Sequence, residues 1–166
     1  MSHNDLNEKN KFTHLDKDGN PSMVNVSQKK VTFRTAKARA IICLPTLVMD
    51  LLEGEEIQTK KGPVFQTAII AGIMAAKKTG ELIPLCHPLG LEDCQIKIFI
   101  NENKKVVVEC TTALTAKTGV EMEALTGASV AALTIYDMCK AFSHDITIKE
   151  TKLIEKTGGK RDFKRT

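Results

Sequence analysis

From Lys30 to Leu44, "KVTFRTAKARAIICL", apolar and polar positions alternate, with Val31, Phe33, Ala36, Ala38, Ala40 and Ile42 on the apolar side. A period of two predicts a half-buried strand. "PTLVMDLLEG" predicts a short helix closed by Gly54. "GPVFQTAIIAGIMAAKKTG" starts with Pro63 near a first helical turn and stops at Lys77, Lys78 and Gly80, which predicts a long helix. "CQIKIFI" and "KVVVECTTAL" flank the polar turn "NENKK" and predict a hairpin. "GVEMEALTGASVAALTIYDMCKAF" predicts a second long helix, and "DITIKETKLIEK" alternates as a last strand.

Strand, helix, strand, strand, helix, strand is the order of a ferredoxin-like split βαβ arrangement, an α+β fold with two long helices on one face of the sheet. Residues 1–28 are polar and turn-rich and predict an arm, partly disordered. Residues 29–156 form the domain, and 157–166 a flexible basic tail. Both helices are rich in alanine and glycine and aromatic residues are few, which points to subunit packing and a homo-oligomer.

Composition narrows the classes. The 166 residues include 27% charged and 42% apolar, the profile of an ordinary soluble domain. No apolar run reaches the length of a membrane span, and the polar start lacks a signal peptide. Five cysteines without a CxxC pair suit reduced thiols in a cytoplasm. A net charge of +4 suits a phosphorylated small molecule at least as well as a nucleic acid. With no Trp and one Tyr, stacking platforms for single strands are scarce. A nucleic-acid-binding module of this fold would need aromatics on its strands, and the hairpin offers only Phe99.

Several residues could carry chemistry. Asp137 and Lys140 sit three apart on the second long helix, sharing a face with Thr126, Val130 and Leu133. A solvated ion pair is one reading; a carboxylate whose pKa is shifted at the edge of an apolar stripe is the other. Glu121 and Glu123 open the same helix, where acids favour the N-terminus in any case. About 21 Å of helix separates Glu123 from Asp137, so the two cannot act on one atom within one subunit. Lys60, Lys61 and Gly62 precede the first long helix, where an anion could meet a helix N-terminus and a lysine together. "TGGKR" resembles a flexible anion grip without P-loop spacing. In "LIPLCHPLG" two prolines stiffen the chain around His87, which suits a hydrogen-bond partner to substrate better than a metal ligand. Extended geometry there would turn Cys86 the opposite way.

Taken together and in order, "KKG", "TAIIAGIMAAKKT", "IPLCHPL", "KTGVEMEALT" and "AALTIYDMCKA", with "THL…MVNV" before and "KTGGK" after, resemble the cyclic pyranopterin monophosphate synthases of molybdenum cofactor biosynthesis. The resemblance runs from about Phe12 to the tail. It implies a cytoplasmic lyase, a homohexamer built as a trimer of dimers, and active sites at subunit interfaces. The implied reaction converts (8S)-3′,8-cyclo-7,8-dihydroguanosine 5′-triphosphate to cyclic pyranopterin monophosphate and pyrophosphate. No cofactor is required, although a divalent cation could ride on the triphosphate; no protein metal site, nucleic acid or membrane is implied. The family's catalytic positions fall on Asp137, Lys140 and Lys61. Its substrate contacts fall on Leu85, Cys86, His87, Met122 and Glu123, with Glu121 adjacent, and its basic positions on Arg34, Lys156 and Lys160. One lysine, partly desolvated near other cations, would be the group that loses its proton near neutral pH.

Three departures stand out: Asn25 where the family has an acid, Ile69 for an arginine of many members, and "GGKRD" in the tail. Asn25 cannot act as a base, which keeps alive a second class: a non-catalytic nucleotide-binding or scaffold homologue of this fold.

Overall fold

The computed structural model describes Leu15 and residues 18–166. The predicted arm, 1–28, lies largely outside the described residues. Strand β1 (Thr32–Cys43) leads to a one-turn helix α1 (Thr46–Met49) and three short strands, β2 (Leu52–Glu53), β3 (Glu56–Thr59) and β4 (Gly62–Pro63). Helix α2 (Val64–Lys77), a single turn α3 (Thr79–Leu82), strands β5 (Asp93–Ile100) and β6 (Val106–Ala116), helix α4 (Glu121–Cys139), strand β7 (Thr147–Thr157) and strand β8 (Phe163–Lys164) follow.

The main sheet has the order β5-β6-β1-β7-β8, antiparallel throughout, and β2-β3-β4 form a separate small sheet. Helices α2 and α4 cover one face of the main sheet. From that side Ala36, Ala38, Ala40 and Ile42 of β1 are buried against Ala124, Ala128, Ala131 and Ile135 of α4. The small residues have a job inside one chain. A Cβ at Gly72 would come 2.7 Å from the Gly127 carbonyl, so the two glycines set how closely α2 and α4 cross. On the opposite face of the sheet Arg39 of β1 pairs with Glu109 of β6, and Lys37 lies 3.9 Å from the same carboxylate.

Three expectations are corrected. The predicted helix over 45–54 stops at Met49; Leu52 and Glu53 instead pair with Ile57 and Glu56. Gly54, with φ of +63°, turns that hairpin rather than capping a helix. The tail beyond 156 is not free: Thr157 belongs to β7, and Phe163 and Lys164 pair with Lys156 and Glu155.

Candidate active site

Two clusters emerge, one at each end of α4. At its start, two cavities adjoin. One, of about 530 Å³, is walled by Val24, Leu85, Cys86, His87, Met122 and Glu123. The other, of about 250 Å³, is walled by Arg34, Lys117 and Lys156 among others. Lys29, Thr118, Gly119, Glu121 and Lys160 border both, so the two form one cleft. The larger compartment lies within the ~300–1,000 Å³ span of small-molecule sites.

The cleft brings together nine sequence-predicted residues: Arg34, Leu85, Cys86, His87, Glu121, Met122, Glu123, Lys156 and Lys160. The prolines do hold His87, but through a turn. The Cys86 amide donates to the Ile83 carbonyl at 3.0 Å, so the strand-like alternation fails and Cys86 lines the same compartment as His87. His87 Nε2 lies 2.9 Å from the Val24 carbonyl oxygen. A carbonyl only accepts, so the proton sits on Nε2. Asn25, next to Val24, accepts a bond from the Ser27 amide on its Oδ1 at 2.8 Å. That task needs an acceptor and no proton transfer. The acid-to-amide departure therefore leaves the local turn intact.

Glu123 is 3% exposed at the cleft floor. Burial pushes its carboxyl up, and the neighbouring Glu121 adds to the rise. Burial likewise pushes the Cys86 thiol up, with Glu123 contributing. The cationic end holds Lys29, Arg34, Lys117, Lys156 and Lys160. Lys156 Nζ meets Glu121 Oε1 at 2.7 Å. Arg34 Nη2 donates to the Lys117 carbonyl at 3.5 Å, while its Nε is buried without a partner. Lys117 Nζ donates to the Ser27 carbonyl at 2.7 Å. Lys29 and Lys117 are functional candidates the sequence reading missed. The signal was available in the basic positions just before β1 and in the "KTG" before α4, but one-sided charge appears only after the strands pair.

At the far end of α4, Lys61 Nζ lies 3.0 Å from Asp137 Oδ2, and Lys140 Nζ 2.7 Å from Asp137 Oδ1. All three side chains are about half exposed. The stripe that Asp137 shares with Leu133 faces outward; Leu133 is 57% exposed. The expected shift in carboxyl pKa comes from the lysines and not from the apolar stripe: the bonds from Lys140 and then Lys61 hold Asp137 below the usual carboxylate range. The same contact raises Lys140, so Lys140 is not a lysine that is neutral near pH 7.

The expected anion seat at the start of α2 is also corrected. Glu56 of β3 already fills it, accepting from the Phe65 amide at 2.7 Å and the Gln66 amide at 3.0 Å. Among the described residues no group of three or more His, Cys, Asp and Glu is placed to hold a metal ion, and no helix is long and apolar enough to cross a membrane.

Comparison with known proteins converges on one group. The model of the MoaC family matches residues 23–159. A cyclic pyranopterin monophosphate synthase of Xanthomonas axonopodis pv. citri is 51% identical over 153 residues, covering 92% of this chain and 93% of that protein. A molybdenum cofactor biosynthesis bifunctional protein of Synechocystis is 55% identical over 93% of this chain. Molybdenum cofactor biosynthesis protein 1 of Dictyostelium discoideum is 51% identical over 92% of it. This chain spans 46% and 27% of the length of those last two.

Proposed function

Because the chain belongs to the MoaC family, we propose that it is a lyase of molybdenum cofactor biosynthesis. It converts (8S)-3′,8-cyclo-7,8-dihydroguanosine 5′-triphosphate to cyclic pyranopterin monophosphate and pyrophosphate. The observation that carries this reading is the two-part cleft. A compartment with five cations adjoins a wider one with His87, Cys86 and a buried carboxyl. A ligand with a polyphosphate at one end and a polar heterocycle at the other matches that division.

The chemistry follows from the balance of the products. Closing the cyclic monophosphate forms a bond from a ribose oxygen to the α-phosphorus and breaks the bridge to the β-phosphate, so pyrophosphate leaves. Arg34, Lys117, Lys156 and Lys160 would stabilise its growing charge. Any divalent cation would arrive on the phosphates. Rebuilding the purine as a pterin needs proton transfers at the other end. Asp137, ionised at neutral pH, would accept a proton, and Lys140 and Lys61 would stabilise charge as cations. No redox cofactor is required.

The fold reading is a ferredoxin-like subunit, supported by the strand order β5-β6-β1-β7 with α2 and α4 on one face. Asp137 and Glu123 stand fourteen residues apart on one helix, about 21 Å. We therefore infer that one subunit's Asp137 cluster completes another's cleft, as a hexamer of three dimers in the cytoplasm would allow. The decisive test is to supply purified protein with the cyclised triphosphate and measure pterin and pyrophosphate together. One pyrophosphate per pterin is expected. Tight binding without either product would instead establish a non-catalytic nucleotide-binding protein.

A further inference from the structure

We propose that Glu56 is a positioning residue that holds the β3–β4 hairpin so that Lys61 faces Asp137. The inference deepens the reading of Asp137 and Lys61 as catalytic and rests on it for its meaning in turnover.

The geometry starts at the carboxylate. Glu56 Oε1 accepts from its neighbour's amide, Ile57, at 2.8 Å and from the Phe65 amide at 2.7 Å, and Oε2 accepts from the Gln66 amide at 3.0 Å. Helix α2 has no side-chain cap from its own N-cap residue, since Pro63 occupies that place. A carboxylate from another strand therefore satisfies two of its free amides and meets the positive end of its dipole. Burial, and after it the nearby Glu56 carboxylate, push the thiol of Cys139, two residues beyond Asp137, up to about 11. One side chain thus ties the hairpin to α2 while facing the end of α4.

The hairpin is stiff between Glu56 and Lys61. Thr59 and Gly62 pair, as do Gln58 and Pro63. The Thr59 hydroxyl donates to the Gly62 carbonyl at 3.1 Å, and the Lys61 amide donates to that hydroxyl at 3.2 Å. Gly62 has φ of +110°, a conformation that side chains rarely adopt. Lys61 Nζ then meets both the Asp137 carboxylate and, at 3.3 Å, the Asp137 carbonyl. Moving the hairpin moves Lys61 away from a pair that is half exposed and so has little else to hold it. The charged groups facing the Asp137 carboxylate are Lys61 from the hairpin and Lys140 from its own helix.

In Glu56→Gln the amide nitrogen cannot accept from the Gln66 amide and repels it, which frees the cap without changing size. The experiment follows the Asp137 carboxyl by NMR, using protein labelled at the aspartate side-chain carbon, with Asp137→Asn to identify the signal. Turnover of the cyclised triphosphate is measured alongside. Loosening Lys61 raises the Asp137 titration midpoint in Glu56→Gln. Lys61→Ala raises it at least as far, and the double variant adds nothing beyond Lys61→Ala. Loss of melting temperature with an unmoved Asp137 midpoint overturns the proposal and leaves Glu56 as a cap alone. A moved midpoint with unchanged turnover keeps the positioning and removes the catalytic role of Lys61 instead. If Glu56→Gln does not fold, Glu56→Asp, too short to reach both amides, is read the same way.

Discussion

Lys156 and Glu121 form a 2.7 Å ion pair at the border of the cationic compartment, joining β7 to the first turn of α4. The carboxylate occupies a lysine that an anion would otherwise engage. Glu121→Gln should therefore strengthen pyrophosphate binding, by about 2- to 5-fold on the scale of a partly exposed pair. Lys156→Ala should weaken it, and added salt should shrink both effects. Titration calorimetry at two salt concentrations checks this. Weaker binding in Glu121→Gln would mean the acid organises the pocket rather than competing in it.

Asp137 and Lys140 give a kinetic expectation. Asp137→Asn should lower single-turnover conversion about 10²-fold or more, the scale of a proton-transfer group. Lys140→Ala should fall similarly, and the double variant should be little worse than either, since groups that act as a unit are not additive. Pyrophosphate binding should survive in all three. Both lysines depress the Asp137 pKa, so the base stays ionised as pH falls through the ordinary carboxylate range. An acid limb assigned to Asp137 should therefore lie below the range of an ordinary carboxylate. A limb near pH 6 that persists in Asp137→Asn belongs to another group.

Glu123 gives a stability expectation of opposite sign. Its folded-state pKa is raised, chiefly by burial. The stability linked to its proton is fully present below the unfolded pKa and lost as pH rises through the folded value. Glu123→Gln removes the buried charge. It should raise the melting temperature at pH 8 and change it little at pH 4. Equal shifts at both values would show that the effect is packing, not ionisation.

His87→Ala should reduce turnover or substrate affinity about 10-fold or more, because orientation is what the held ring supplies. The fold should persist, since the ring is only half-buried and its hydrogen bond ties a loop to the Val24 carbonyl. Calorimetric melting with parallel kinetics separates the two. A drop in stability like that of a core truncation, with kinetics unchanged once folded, makes His87 structural.

The long periodic segments were legible because their periodicity is local. β1, α2, the hairpin, α4 and β7 all fall where the apolar pattern puts them. The small sheet β2-β3-β4 was not. Its strands have two to four residues, too short for a period to show, and Leu51 and Leu52 extend a helix-like apolar pattern. The cleft was legible by resemblance at its nine matched residues, whereas Lys29 and Lys117 became visible only when β1 met β6 and the chain before β1 folded back. The cause of the Asp137 pKa shift was hidden for a similar reason. Sequence placed it beside an apolar stripe, but which side of that stripe faces water depends on where α2 packs. Glu56 carries no motif at all: the amides it caps lie nine and ten residues away, across a turn.

The central place of β1 has a consequence for biosynthesis. Its two neighbours come from the far part of the chain: Ala36 lies opposite Thr112 on one side and Lys156 on the other. β1 leaves the ribosome about a hundred residues ahead of β7, so nothing can flank it on that side until those residues have emerged. Throughout that interval a strand whose apolar side is Ala36, Ala38, Ala40 and Ile42 presents an open edge, the condition under which nascent chains stick to one another. The β1–β7 side of the sheet therefore closes last, and pairing of such distant segments makes that closure slow.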